Sequence, residues 1–170
     1  MISTILVEHP WLSPTALIVL VVAGPVLGRL LVSRPRAAWL LSGVALLPVA
    51  LLTLTPVDRE LFARCTVQWA LPTPGRVELM ANVVLFVAPV LLAGVATRRP
   101  FAILLAASVL SAGIEALQAA VPAIGRSCDT GDWLSNTIGA AIGAALAAVA
   151  LWAARRPQRH DRPSWRGAAP

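Results

Sequence analysis

Five apolar runs, at residues 12–32, 38–55, 79–97, 101–121 and 133–154, constrain this chain more than any other feature. At a rise of about 1.5 Å per residue, a helix of about 20 residues crosses the roughly 30 Å hydrocarbon core of a bilayer. The short stretches between the runs hold nearly every Arg, Asp, Glu and Pro, which is the hydropathy pattern of spanning helices. Composition agrees. Only 13% of the 170 residues are charged, 58% are hydrophobic and the mean hydropathy is +0.77, whereas a soluble domain carries about 25% charged residues. The expected fold is an all-α membrane protein, a bundle of about five transmembrane helices. The first run is read as a retained helix rather than a secretory signal. No Lys or Arg precedes it, only Glu8, His9 and Pro10 among the nearby residues, and the run is too long.

The net charge of +6 invites a nucleic-acid reading, but the positions of the arginines argue against one. One set of alternate connections holds ten: Arg29, Arg34, Arg36, Arg98, Arg99, Arg155, Arg156, Arg159, Arg162 and Arg166. The opposite side holds four: Arg59, Arg64, Arg76 and Arg126. The positive-inside rule then puts the C-terminus in the cytoplasm and the N-terminus outside. The acids follow the same division, with Glu8, Asp58, Glu60, Glu78, Asp129 and Asp132 on the outer side. The tail after Ala154, rich in Arg and Pro, is expected to be disordered and to meet anionic lipid. The absence of lysine fits codon bias in a GC-rich genome.

In this topology Cys65 and Cys128 lie in the two outer loops, before the third and fifth helices. Both meet an oxidising compartment, so a disulfide between them is one reading and two unpaired thiols the other, because sequence spacing does not give a Cα distance. No paired CxxC spacing supports a zinc site.

Polar groups inside a spanning helix are costly, about 2.5 to 3.5 kcal/mol for a central charge on insertion scales, so each needs a partner or a task. Asn82 lies one turn into the third helix, Glu115 and Gln118 share a face near the end of the fourth, and Asn136 lies one turn into the fifth. Given alternating directions, all four converge on the outer leaflet. The preceding loop adds Arg126, Asp129 and Asp132. If the fifth helix starts early, Asp129, Asp132 and Asn136 form one polar stripe; if it starts at Asp132, that residue is its N-cap. Arg126 has Glu115, Asp129 and Asp132 as possible counter-charges.

Glu78-Leu-Met-Ala-Asn82 and Asp132-Trp-Leu-Ser-Asn136 each place an acid four residues before an Asn at the mouth of a helix. This echo suggests a parallel repeat relating helices two and three to helices four and five. Gly139 and Gly143, among alanines, permit close backbone approach, read as packing against the third or fourth helix rather than as a dimer face. Pro25, Pro48 and Pro89 mark expected kinks, and Trp11, Trp39, Trp133 and Trp152 sit near helix ends as interfacial aromatics do.

Three blocks carry a resemblance: Asn82-Val-Val-Leu-Phe86-Val-Ala-Pro89; Ser111-Ala-Gly-Ile-Glu115-Ala-Leu-Gln118; and Arg126-Ser-Cys-Asp129-Thr-Gly-Asp132-Trp-Leu-Ser-Asn136-Thr-Ile-Gly139-Ala-Ala-Ile-Gly143. Together they resemble the VanZ-like family over about residues 38–153. Ala88-Pro89-Val90 departs from the Pro and Gly that many relatives carry after the Phe. The arginine-rich, cysteine-bearing form is similar to actinobacterial members. The resemblance implies a multi-pass bacterial cell-membrane protein and a link to teicoplanin, a lipoglycopeptide antibiotic. It singles out Asn82, Glu115, Gln118, Arg126, Asp129, Asp132 and Asn136 as the polar signature and implies no established reaction. The domain organisation expected is an N-terminal helix and loop at 1–37, a VanZ-like four-helix membrane domain at 38–154 and a basic tail at 155–170.

The first functional expectation is an envelope protein whose outward polar site binds a lipid-linked precursor or a lipoglycopeptide-like ligand. The alternative is a membrane enzyme acting on a lipid-linked envelope precursor, with Glu115 or Asp132 as general base. No nucleophile is marked, and His9 and His160 lie at opposite ends. A transporter would line the whole bilayer depth with polar groups, yet the inner halves of these helices are almost purely apolar. Glu115, Asp129 and Asp132 are oxygen donors of the kind a divalent ion takes, but no metal and no cofactor are expected. The bilayer is the one partner expected from composition; oligomeric state is left open.

Overall fold

The computed structural model describes residues 8–57 and 63–155. Five long helices make up most of it: α1 (Leu12–Leu31), α2 (Pro35–Leu54), α3 (Val77–Thr97), α4 (Pro100–Ala120) and α5 (Thr130–Arg155). All five are long and apolar enough to cross a membrane. Two-residue strands β1 (Cys65–Thr66) and β2 (Cys128–Asp129) lie in the loops before α3 and α5, and a 3-10 turn (Pro122–Ile124) follows α4. The tail expected to be disordered, and the loop charges Asp58, Arg59 and Glu60, lie outside the described residues.

Helices α2 to α5 start one to three residues earlier than hydropathy alone suggests, two of them for a clear local reason. Pro35 and Pro100 open α2 and α4, because proline is tolerated in the first turn, where its missing N–H has no intrahelical partner. The connections at this end are short, 32–34 and 98–99, so α1 and α2, and then α3 and α4, run antiparallel. Arg98 ends α3 in the left-handed conformation.

Helix α3 is central. It packs most extensively against α5, running in the same direction, and it also receives α1, α2 and α4, while α1 and α4 additionally contact α5. The core between them holds Phe86, Val87, Val90, Leu91 and Val95 from α3 and Ala140, Ala144, Ala147 and Ala150 from α5. Outward faces are apolar: Val22, Leu40 and Val109 are 70%, 73% and 72% exposed. Such surfaces would be an aggregation hazard in water and are ordinary against lipid tails. The chain is a multi-pass membrane protein.

Lipid tails are as apolar as leucine, so packing rather than water exclusion joins the helices. Gly139 and Gly143 do this by bringing α5 onto the α3 backbone. A Cβ on Gly139 would collide with the Val83 carbonyl oxygen, and one on Gly143 would reach within 2.5 Å of the Val87 carbonyl oxygen. The GxxxG pair therefore packs within the chain, against the third helix. Ser42 on α2 donates to the Pro89 carbonyl at 3.0 Å, adding a polar tie inside the bilayer.

Candidate functional site

The end of the bundle opposite the short 32–34 and 98–99 connections is tied together by its loops. Cys65 and Cys128 form a disulfide with a Cα–Cα distance of 4.5 Å. They are partners in a parallel bridge, and the Cys128 N–H donates to the Arg64 carbonyl at 2.9 Å. Gln68 extends the clamp: its N–H donates to the Thr130 hydroxyl oxygen at 2.8 Å, and that hydroxyl donates to the Gln68 carbonyl at 2.7 Å. A second seam joins the Val57 N–H to the Ile124 carbonyl at 3.0 Å. Beside it Gly125, at φ 67°, lies so close to the Val57 carbonyl that no side chain fits.

This scaffold fixes the start of α5. Asp129, not Asp132, caps it: its Oδ1 accepts the Gly131 N–H at 2.7 Å, the bond an N-cap side chain makes to the second helical residue. Asp132 therefore lies in the first turn, released from the capping role that a later helix start would have given it. Its carboxylate lies near the Asn82 amide of α3 and in the field of Glu78, Asp129 and Arg126.

Glu115, on the last turns of α4, accepts the Asp129 backbone N–H at 2.7 Å. One turn earlier Ser111 accepts from the Asn136 amide at 2.9 Å, and a further turn earlier Ser108 and Thr137 share a 3.0 Å hydroxyl contact. The α4–α5 interface thus carries a polar ladder descending from the loop end. Asn136 is 2% exposed, and its Oδ1 has no hydrogen-bond partner. Arg126 Nε is likewise buried and without a partner. Gln118 belongs to a different contact, donating to the Thr53 carbonyl of α2 at 2.9 Å.

Between α4 and the clamped loop an open groove of about 300 Å³ is lined by Trp69, Ala112, Glu115, Cys128, Asp129, Thr130 and Trp133. Trp69 and Trp133 meet edge to face, 6.4 Å between centroids, and the Trp133 indole N–H donates to the Ser108 carbonyl at 3.2 Å. Of the residues picked out from sequence, Glu115 and Asp129 line the groove; Asp132, Asn82 and Arg126 form a charged group beside it; Asn136 and Gln118 bond between helices. Sequence reasoning placed Trp133 only in an interfacial belt and did not single out Trp69 or Thr130. A tryptophan shortly after each bridging cysteine, Trp69 four residues after Cys65 and Trp133 five after Cys128, was the available signal. Among the described residues no group of three or more His, Cys, Asp and Glu side chains is placed to hold a metal ion.

The VanZ/LLP1 family model matches residues 17–152. The chain belongs to this VanZ family. The match takes in most of α1 as well as α2 and the three helices that carry the motif blocks, consistent with the packing of α1 on α3 and α5. The family is linked to glycopeptide resistance. No curated protein and no solved structure matches the chain.

Proposed function

We propose that this VanZ-family protein binds a lipid-linked envelope precursor or a lipoglycopeptide-like amphiphile in the groove between α4 and the disulfide-clamped loop, with that end facing outside the cell. The observation that carries the reading is the groove itself. Its walls are mostly apolar, two tryptophans flank it, and carboxylates of Glu115 and Asp129 stand in it. Apolar walls suit a lipid tail, indole faces suit sugar rings or ammonium groups, and carboxylate oxygens accept from hydroxyls and amines. The arginine-poor character of this end supports its outward placement.

A binding role fits better than a general-base role. One Glu115 oxygen is engaged by the Asp129 N–H, and Asp132 lies beside the Asn82 amide. Glu115 therefore already serves to position the loop before α5. Matched membrane levels of wild type, Glu115→Gln and Trp133→Ala, expressed in a teicoplanin-sensitive host, test the proposal. Wild type alone should shift teicoplanin susceptibility, and calorimetry on nanodisc-held protein should register teicoplanin binding that both variants weaken. Equal behaviour of all three would reduce the groove to a seam between helices.

A further inference from the structure

At the opposite end of the bundle, the ends of α1, α3 and α5 border a second, partly open cavity of about 190 Å³, lined by Val32, Arg98, Leu151, Ala154 and Arg155. We infer that this cavity is a binding site for the phosphate of an anionic phospholipid, held between Arg98 and Arg155 with its glycerol end against Val32 and Leu151.

Three observations carry this. The first is charge. Helix directions put Arg29, Arg34, Arg36, Arg98, Arg99 and Arg155 at this end, and every acid among the described residues (Glu8, Glu78, Glu115, Asp129, Asp132) at the other. Two like charges lining one cavity, with no described carboxylate at that end, favour a shared anion between them. At headgroup depth that anion is a lipid phosphate, and basic pockets between spanning helices take such headgroups.

The second observation is backbone conformation. Arg98, at φ 57°, is the one non-glycine with positive φ among the described residues. Gly or Asn takes this conformation with less strain, so an arginine here has a cost that its place in the cavity wall explains.

The third is size. The volume is several times the roughly 30 Å³ share of a water molecule and below the roughly 300 Å³ at which pockets for whole small molecules begin. It fits a headgroup fragment whose acyl chains remain in the bilayer. The competing account has each arginine merely complementing the C-terminal dipole of its own helix, α3 for Arg98 and α5 for Arg155.

The test uses purified full-length protein in detergent, titrated with dioctanoyl phosphatidylglycerol, dioctanoyl phosphatidylcholine or inorganic phosphate, with dissociation constants from native mass spectrometry. Phosphatidylglycerol should bind wild type more tightly than the other two. Arg98→Gln and Arg155→Gln should each weaken it about fivefold, and Arg36→Gln, at the same end but outside the cavity, should not. Arg98→Gly removes the charge while relieving the backbone, so it should show the same weakening with an unchanged or higher thermal midpoint in phosphatidylcholine nanodiscs. Equal weakening by Arg36→Gln would assign the effect to diffuse surface charge and overturn the site. Equal binding of the two lipids would leave the dipole account standing. Inorganic phosphate binding as tightly as phosphatidylglycerol would make the ligand a soluble anion and overturn the lipid assignment.

Discussion

Glu115 on α4 accepts the backbone N–H of Asp129, fourteen residues further along the chain, at 2.7 Å. A single carboxylate thus fastens the loop that carries the disulfide, caps α5 and forms one wall of the groove. Glu115→Gln keeps a carbonyl acceptor and should retain the fold, while Glu115→Ala leaves the Asp129 N–H without this partner. The alanine variant should be the less stable by about 1.5 kcal/mol, the worth of a bond to a charged acceptor. Thermal denaturation of the two purified variants in one detergent checks the order.

The Cys65–Cys128 bridge closes a sequence separation of 63 residues that includes all of α3 and α4. Chain-entropy reasoning gives about 4 kcal/mol for a loop of that length. Spanning helices already restrict the unfolded chain, so about 2 kcal/mol is expected here. Cys65→Ser should lower the thermal midpoint, and Cys65→Ser/Cys128→Ser should add little to it. In intact cells both thiols should resist maleimide until a reductant is added, since such bridges persist outside the cytosol.

The five spans were legible because lipid imposes length and polarity rules that sequence states directly. Asn82, Glu115, Asp129, Asp132 and Asn136 stood out because hydrocarbon makes each of them costly. What sequence left open were matters of one turn or of tertiary distance. Whether Asp129 or Asp132 caps α5 depends on where the helix starts, and the Gly131 N–H decides it. The partner of Gln118 is the Thr53 carbonyl, and a backbone acceptor leaves no mark in residue identity. Trp69 enters the groove only because Gln68 is bonded to Thr130 and Asp129. The apolar runs begin after Pro35 and Pro100, yet both serve as first-turn residues of their helices.

The close approach of α5 to α3 makes glycine substitutions unequal. Gly139→Ala would force a Cβ into the Val83 carbonyl, whereas a Cβ on Gly113 or Gly43 would meet nothing within 4 Å. Gly139→Ala should destabilise by about 1 to 3 kcal/mol, as overpacking does. Gly113→Ala should be neutral or stabilising by up to about 1 kcal/mol, through better helix propensity. The fraction remaining monodisperse after heating, read by size exclusion, separates the two.

The arginine distribution makes a prediction about direction. A fluorescent protein that matures only in the cytoplasm should glow when fused after Pro170, and a periplasmically active phosphatase fused there should be silent. The reverse pattern would turn the groove toward the cytoplasm and remove the basis for an extracellular ligand. The Cys65–Cys128 bridge gives an independent reading of the same question, because it would then face a reducing compartment.

Asn136 presents the last case. Its Nδ2 donates to Ser111 at 2.9 Å, yet its Oδ1, in a residue 2% exposed, has no partner. An interhelical bond in a bilayer contributes about 0.6 kcal/mol on average, so Ser111→Ala alone should cost little. Asn136→Ala removes the orphaned oxygen together with the bond, and these two effects oppose each other. The single variants should therefore be milder than those at Gly139, and their coupling in a double-mutant cycle should be about 0.6 kcal/mol. Asn136→Leu puts a bulkier apolar group beside buried Ala140 and the Ser111 hydroxyl, and should destabilise more than Asn136→Ala. If Asn136→Ala instead abolishes a teicoplanin response while the thermal midpoint holds, the free oxygen belongs to the ligand-binding group rather than to helix packing.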